Sequence, residues 1–475
     1  MLNKAGDKIN RVLKPAVLIL LSAQILVGCL WGFLNFGSLQ QFPDTVELVR
    51  LSGTLKLTGE TGIIYPALLI VVRALTANGP VLFYHVMYLL QIALAFAAWF
   101  VFAKNVFGTD SVYKKIFFAL AIVTNPFAMQ VHLAVLEYSF VSSFAALLIS
   151  FQIRFMRDWK KSEKGLGLER ALRDISVTSL FWLATALTRK EFTLIGAVPI
   201  LALLITIIKS SRKGKVKASG VAMCIVVVLA FAGIICMGDS LFRSGEKISA
   251  LDGIKRSIFY RVAWSEDFRD RYHWPSYLTD FTDEGMMTHI MNDPGLVRTE
   301  YTEYVTERFG SRETTDRFYE WGKEAFSRNK KAIVKETLSD IFGYLFVPIK
   351  TEHALRGCEY PGFAAGNYDV MKQHNPLLTK IYLRYFSVLY ISMSAIAVLA
   401  AALTSAKRYV RNITLILPAG IIAISCAVYY SFLGCNVFDH RKVVFTTCLW
   451  AAFMLGGTGL TAAQKEASAS DSLNK

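Results

Sequence analysis

Residues 36–80 read FGSLQQFPDTVELVRLSGTLKLTGETGIIYPALLIVVRALTANGP. The stretch lies between two long apolar runs, yet it is too charged to cross a bilayer and too apolar to stay in water. Its first half predicts a helix from Asp44, with Leu48, Leu51 and Leu55 at helical spacing on one side. Its second half, Ile63 to Ala77, is apolar but carries Arg73 and is shorter than the ~20 residues a crossing needs. Both are read as helices lying along the membrane surface, which sets the acidic pair Asp44 and Glu47 beside lipid. The D-x-x-E spacing is also that of a capping box, in which Asp44 accepts a backbone N–H and Glu47 reaches back. A cap that uses one carboxylate oxygen leaves the other for chemistry.

Outward from this stretch, the rest of the chain is apolar: 54% of its 475 residues are hydrophobic, 13% are aromatic, and the mean hydropathy is +0.40. Such a composition belongs to a polytopic membrane protein rather than a soluble one. The expected fold class is all-α, with about ten transmembrane helices, surface helices in the first outer loop and a helical extracytoplasmic segment. The spans are expected near 15–36, 81–103, 116–131, 136–153, 175–188, 191–208, 218–237, 383–403, 413–434 and 443–459. The first run has a basic start and no small-residue cleavage site, so it reads as a retained anchor. Trp31 and Phe33 near its far end are expected at the interface.

The formal charge of +16 would fit a nucleic-acid partner if it were spread over one surface. It is not. The two ends and the even connections (1–14, 104–115, 154–174, 209–217, 404–412 and 460–475) hold 24 Lys or Arg against 8 Asp or Glu, and everything else is neutral. That is the positive-inside asymmetry, placing both termini in the cytoplasm of a multi-pass plasma-membrane protein and removing the reason to expect nucleic acid. Three regions follow: an N-terminal transmembrane module (1–237, seven spans), an extracytoplasmic helical cap with a Gly- and aromatic-rich loop (238–382), and a C-terminal module (383–475, three spans). Five cysteines fall in apolar runs, and only Cys358 and Cys435 lie in outer segments, where a disulfide between them is left open.

Away from the cytoplasmic loops, ionisable residues collect at the outer boundary: Asp44, Glu47, Glu60, Glu137, Arg189, Lys190, Glu191, Lys380, Arg384, Arg441 and Lys442. An ion-coupled transporter would hold charge or broken helices near mid-membrane. Charge at the rim suits a reaction on a lipid headgroup. The outer connection QVHLAVLEYS carries His132 and Glu137; the turn TRKE (188–191) sets two cations side by side, as interfacial anchors or as an anion site. His132 and His440 could join Asp44 or Glu137 on a divalent metal, but no ligand spacing supports it, and solvated or interfacial histidines are expected. No cofactor follows from the sequence, and dependence on a divalent metal is left open.

Several segments together resemble a known family. PDTVELVRLSGTLKL and YPALLIVVRAL follow a single span; NPF and a downstream Glu follow; then LATALTRKEFTLIGAVPILALL and, before the last span, VFDHRKVVF. In order and topology these are similar to the GT-C superfamily of integral-membrane glycosyltransferases, which includes protein O-mannosyltransferases and the lipid A aminoarabinose transferase. The resemblance implies hexosyl or pentosyl transfer, with inversion, from a polyprenyl-phosphate donor to a lipid, glycan or protein acceptor. It makes Asp44 the general base, Glu137 a second acid that orients sugar or acceptor, and Arg189 or Lys190, with Arg441 and Lys442, the phosphate clamp. Glu47 and His440 support them. Asp44 lacks the second acid expected directly after it, and TRKE has Arg where Lys is more familiar. A transporter or flippase for a lipid-linked sugar would share the same basic rim.

Overall fold

The computed structural model describes residues 2–36, 45, 48, 49, 53, 61–77, 79–108, 110–161, 168–211, 217–241, 250–263, 282–292, 294–297, 300–346, 376–403, 420–428, 443, 444 and 446–455. Asp44, Glu47, Glu60, the loop 351–375 with Cys358, and Cys435, His440, Arg441 and Lys442 lie outside the described residues. Within them the chain is helical apart from short turns and isolated backbone bridges, among them Thr61 with Arg189. The helices are α1 (Leu2–Asn35), α2 (Ile64–Leu75), α3 (Pro80–Phe107), α4 (Val112–Val123), α5 (Pro126–His132), α6 (Glu137–Lys161), α7 (Leu168–Thr188), α8 (Phe192–Ile195), α9 (Ala197–Ser211) and α10 (Ala218–Leu241). There follow α11 (Ala250–Ala263), α12 (Glu284–Asn292), α13 (Glu300–Phe309), α14 (Ser311–Arg328), α15 (Lys330–Phe346), α16 (Pro376–Leu403), α17 (420–428) and α18 (Thr446–Leu455).

The protein is an all-α polytopic membrane protein. Five helical stretches among the described residues are long and apolar enough to cross a bilayer, and a sixth is counted if the bent pair α4 and α5 is one span. Helices α7, α16, α17 and α18 fall on the four remaining expected spans. Large apolar side chains face outward, among them Leu26 and Phe33 of α1 and Leu229 of α10, as a lipid-facing surface requires. The chain divides into two compact units.

The first unit comprises Met1–Arg243, Lys350–Ala423 and Val443–Lys475. Its centre is α3 packed on α6, α6 on α7, and α7 on α10, with α1 against α16. Local sequence sets the breaks. Pro80 opens α3 at the position where its missing N–H is no loss, and Gly108 closes it at φ 61°, with its N–H on the Lys104 carbonyl. At Asn125-Pro126 the chain bends by 75° between α4 and α5. The Asn125 side chain accepts the Ala128 N–H at 2.9 Å and donates back to the Ile122 carbonyl at 2.6 Å, so one residue ends α4 and starts α5.

Two expectations are corrected in this unit. Trp31 is not exposed on the surface of its helix: it is fully buried and donates its indole N–H to Thr379 at 2.9 Å, tying α1 to α16, while Phe33 is exposed. A buried indole is tolerated because its one donor is satisfied. The connection QVHLAVLEYS is not exposed either. Residues 121–143 are all buried, and His132, 1% exposed, is hydrogen-bonded through Nδ1 to Ser139 Oγ at 2.8 Å instead of being solvated.

The second unit comprises Ser244–Ile349 and Ile424–Lys442. Its described part is a small helical bundle in which α11 crosses α14. Phe259 stacks on Phe318 at 4.5 Å with Tyr301 and Trp321 around them, and Gly322 lets the α14 backbone approach Phe259 closely. Arg256 donates to Thr315 Oγ1 at 2.7 Å and to both oxygens of Ser311 at 2.8 Å. Arg261 pairs with Asp340 of α15, whose carboxyl is nevertheless pushed above the usual range by burial.

Candidate functional site

The site builds on the turn between α7 and α8. α7 ends at Thr188, the Phe192 N–H returns to the Arg189 carbonyl at 3.2 Å and the Thr193 N–H to Lys190 at 2.9 Å. This tight return sets the side chains of Arg189 and Glu191 on one side, with Arg189 Nε on Glu191 Oε1 at 2.9 Å. The first residue of α6 meets them: Arg189 Nη1 donates to Glu137 Oε1 at 2.8 Å. Tyr138 gives its hydroxyl to Glu191 Oε1 at 3.2 Å and its ring face to the Arg189 guanidinium at 4.7 Å. All three ionised side chains are buried, Arg189 to 5% exposure, Glu137 to 1% and Glu191 to 0%. Two carboxylates and one guanidinium held this way cost several kcal/mol of desolvation and persist only with their hydrogen bonds in place.

The first loop is fastened to the same turn. Thr61 bridges Arg189 in antiparallel fashion, and the Gly62 N–H donates to the Thr188 carbonyl at 2.9 Å. From there α2 runs with Tyr65, Leu69 and Val72 inward. Tyr65 donates to Gln91 Oε1 at 2.7 Å, and Gln91 Nε2 donates to the carbonyls of His132 and Ala134, both at 2.8 Å. Burial first, and then the Glu137 carboxylate, push the Tyr65 phenol well above its ordinary range, so it stays a neutral donor. Of the expected first surface helix, Thr45, Leu48 and Val49 are helical and buried.

Gly62 has no room for a side chain. A β-carbon there would overlap the Leu187 carbonyl and reach the Thr188 carbonyl carbon at 3.0 Å. Gly62→Ala is therefore expected to part the loop from the turn and cost about 2–4 kcal/mol, from overpacking and a lost hydrogen bond. The check is the thermal midpoint of the detergent-solubilised protein, with protease sensitivity rising near residue 62. An unchanged midpoint would mean that the loop is not seated there.

Of the residues singled out from sequence, the structure brings Glu137 and Arg189 into direct contact and leaves Lys190 half-buried beside them. The parts missed are Glu191, Tyr138, Gln91 and Tyr65 as members of one network. The two-residue spacing of Arg189 and Glu191 was the available sign. Among the described residues no three His, Cys, Asp or Glu side chains gather around one point.

No protein-family model matches the chain, and no curated protein matches it. Among solved structures it is similar to the archaeal oligosaccharyltransferase AglB from Archaeoglobus fulgidus, in complex with an inhibitory peptide and a dolichol-phosphate, over 97% of this chain and 52% of that one. The chain thus spans about half of that protein's length. With 13% identity and a TM-score of 0.44, the likeness assigns neither a family nor a chemistry to this chain.

Proposed function

We propose that the chain is a membrane glycosyltransferase of the GT-C type. It takes a hexosyl or pentosyl group from polyprenyl phosphate and passes it, with inversion, to a hydroxyl of a lipid, glycan or protein on the extracytoplasmic face of the plasma membrane. The observation that carries the reading is the backbone pairing of Thr61 and Gly62 with Thr188 and Arg189. It fastens the end of the first loop to the turn that carries Arg189 and Lys190, which supports a reading in which that loop and that turn serve one site. The 24 basic residues in the ends and even connections support cytoplasmic termini.

In this reading Asp44 takes the proton of the acceptor hydroxyl as its oxygen bonds to the anomeric carbon. The bond from that carbon to the phosphate oxygen breaks on the opposite side, and the phosphate leaves with the electron pair. Arg189 and Lys190, with Arg441 and Lys442, neutralise that charge. Glu137 and Glu191, by holding two of the five N–H groups of Arg189, fix the guanidinium before the donor arrives. Glu47 and His440 support the base and the clamp.

A second reading, translocation of a lipid-linked sugar, draws on the 75° break between α4 and α5, since broken helices line the substrate paths of transporters. One assay separates the two. Protein in vesicles is given radiolabelled polyprenyl-phosphate sugars, and both sugar transfer and movement of the labelled lipid between leaflets are followed. Donor-dependent transfer supports the transferase. Leaflet movement without transfer overturns it in favour of the flippase.

A further inference from the structure

Helix α15 of the second unit has two unlike faces. Its inner face holds Ile333 and Thr337, both buried, and turns its only two acids, Glu336 and Asp340, toward Arg261 of α11. At 100° per residue, Lys331, Val334, Lys335 and Leu338 fall together on the opposite side. Val334 is 46% exposed and Leu338 50%, and Lys330, Lys331 and Lys335 are exposed around them. Ile341, one turn beyond Leu338, continues the apolar stripe half-buried.

The neighbouring helix α14 shows what a water-facing surface of this unit looks like. Its exposed side alternates in sign, with Arg317 on Glu313 at 2.6 Å, Lys323 on Glu320 at 2.7 Å, and Arg328 on Glu324. The outward face of α15 carries charge of one sign only, bordering a strip of branched apolar residues. An acidic protein surface would account for the lysines but not for the bare Val334 and Leu338. An apolar partner would account for those two but not for the basic border.

We infer that α15 is an interfacial helix whose Lys331, Val334, Lys335 and Leu338 face rests on an anionic lipid surface. Apolar side chains enter the boundary between headgroups and acyl chains, while lysine stems lie along it with their ammonium groups at the headgroup phosphates. The second unit is joined in sequence to membrane helices on both sides, α10 before it and α16 after it. The proposal does not depend on the glycosyltransferase reading.

The test uses the full chain in proteoliposomes, with the photo-crosslinking residue p-benzoylphenylalanine replacing Leu338, or Glu320 of α14 as a control. The vesicles hold an alkyne-tagged phosphatidylglycerol in phosphatidylcholine. The expected result is a lipid adduct at 338 at least ~10-fold above that at 320, falling by about 10-fold when Lys331→Gln and Lys335→Gln are added, in line with the attraction of each lysine to an anionic surface. Exposed glutamines leave the bundle folded, which a thermal scan of the same samples verifies. No adduct at 338, equal adducts at 338 and 320, lipid adducts indifferent to the lysine changes, or adducts to a second copy or another protein would each overturn the proposal.

Discussion

Arg189→Ala is expected to be the most damaging single change in the first unit, lowering stability by about 3–5 kcal/mol, because it leaves two buried carboxylates without their cation. Glu137 and Glu191 have side chains only 1% and 0% exposed, so water cannot take over from the guanidinium without opening the ends of α6 and α7. The variant also deprives the Tyr138 ring of its cation. The measurement is the yield of monodisperse protein and its thermal midpoint in detergent. A triple variant decides the cause: Arg189→Met with Glu137→Gln and Glu191→Gln removes the charge of these three side chains and is expected to recover most of the midpoint, since a neutral, well-filled arrangement of this kind is about as stable as the ionic one. Donor affinity is not expected to return with it, because the proposed phosphate clamp is still missing a cation. Full donor affinity in the triple variant would reduce the cluster to a structural element.

Asp44→Asn is expected to lower sugar transfer by about 10²–10⁴-fold, the usual worth of a positioned general base, and to leave folding unchanged. The choice of asparagine matters, because the same residue fits a helix cap. Asn and Asp are equally good at an N-cap, so the substitution keeps the cap while removing the group that accepts the proton. Asp44→Ala removes both, and is expected to lose about 1 kcal/mol of stability as well as turnover. Transfer rates of the two variants in vesicles, read beside their thermal midpoints, separate the roles. Near-normal transfer by Asp44→Asn would remove Asp44 as the base, whatever it does for the helix.

Much of the helical layout is legible in the chain because the bilayer imposes a simple rule: every backbone polar group must be satisfied within its own segment, so long apolar runs become helices. The runs from Val81, Glu137 and Ala218 therefore appear where the apolar sequence puts them. The breaks at Pro80, Gly108 and Asn125-Pro126 are local in origin, since a missing donor, a positive φ and a side-chain cap each act within a few residues, although the last divides the single span expected over 116–131. The short surface helix α2 follows from the length of its apolar run and its one arginine.

What sequence periodicity does not carry is which polar residues turn inward to meet one another. Trp31 and His132 are expected near headgroups or water, and both are buried with partners that satisfy them, Thr379 far away in the chain and Ser139 across the turn into α6. Glu137 and Arg189, 52 positions apart, stand out in the sequence as charges between apolar runs but not as a pair, and Glu191 is not legible as their third member. The sequence by itself determined an α-helical membrane protein and the place of most of its apolar helices, set by local chemistry and the bilayer. Only the tertiary structure decided that the TRKE turn, the start of α6 and the Thr61–Gly62 segment form one buried site. Contacts between residues far apart in the chain depend on how helices pack, and no local pattern encodes that.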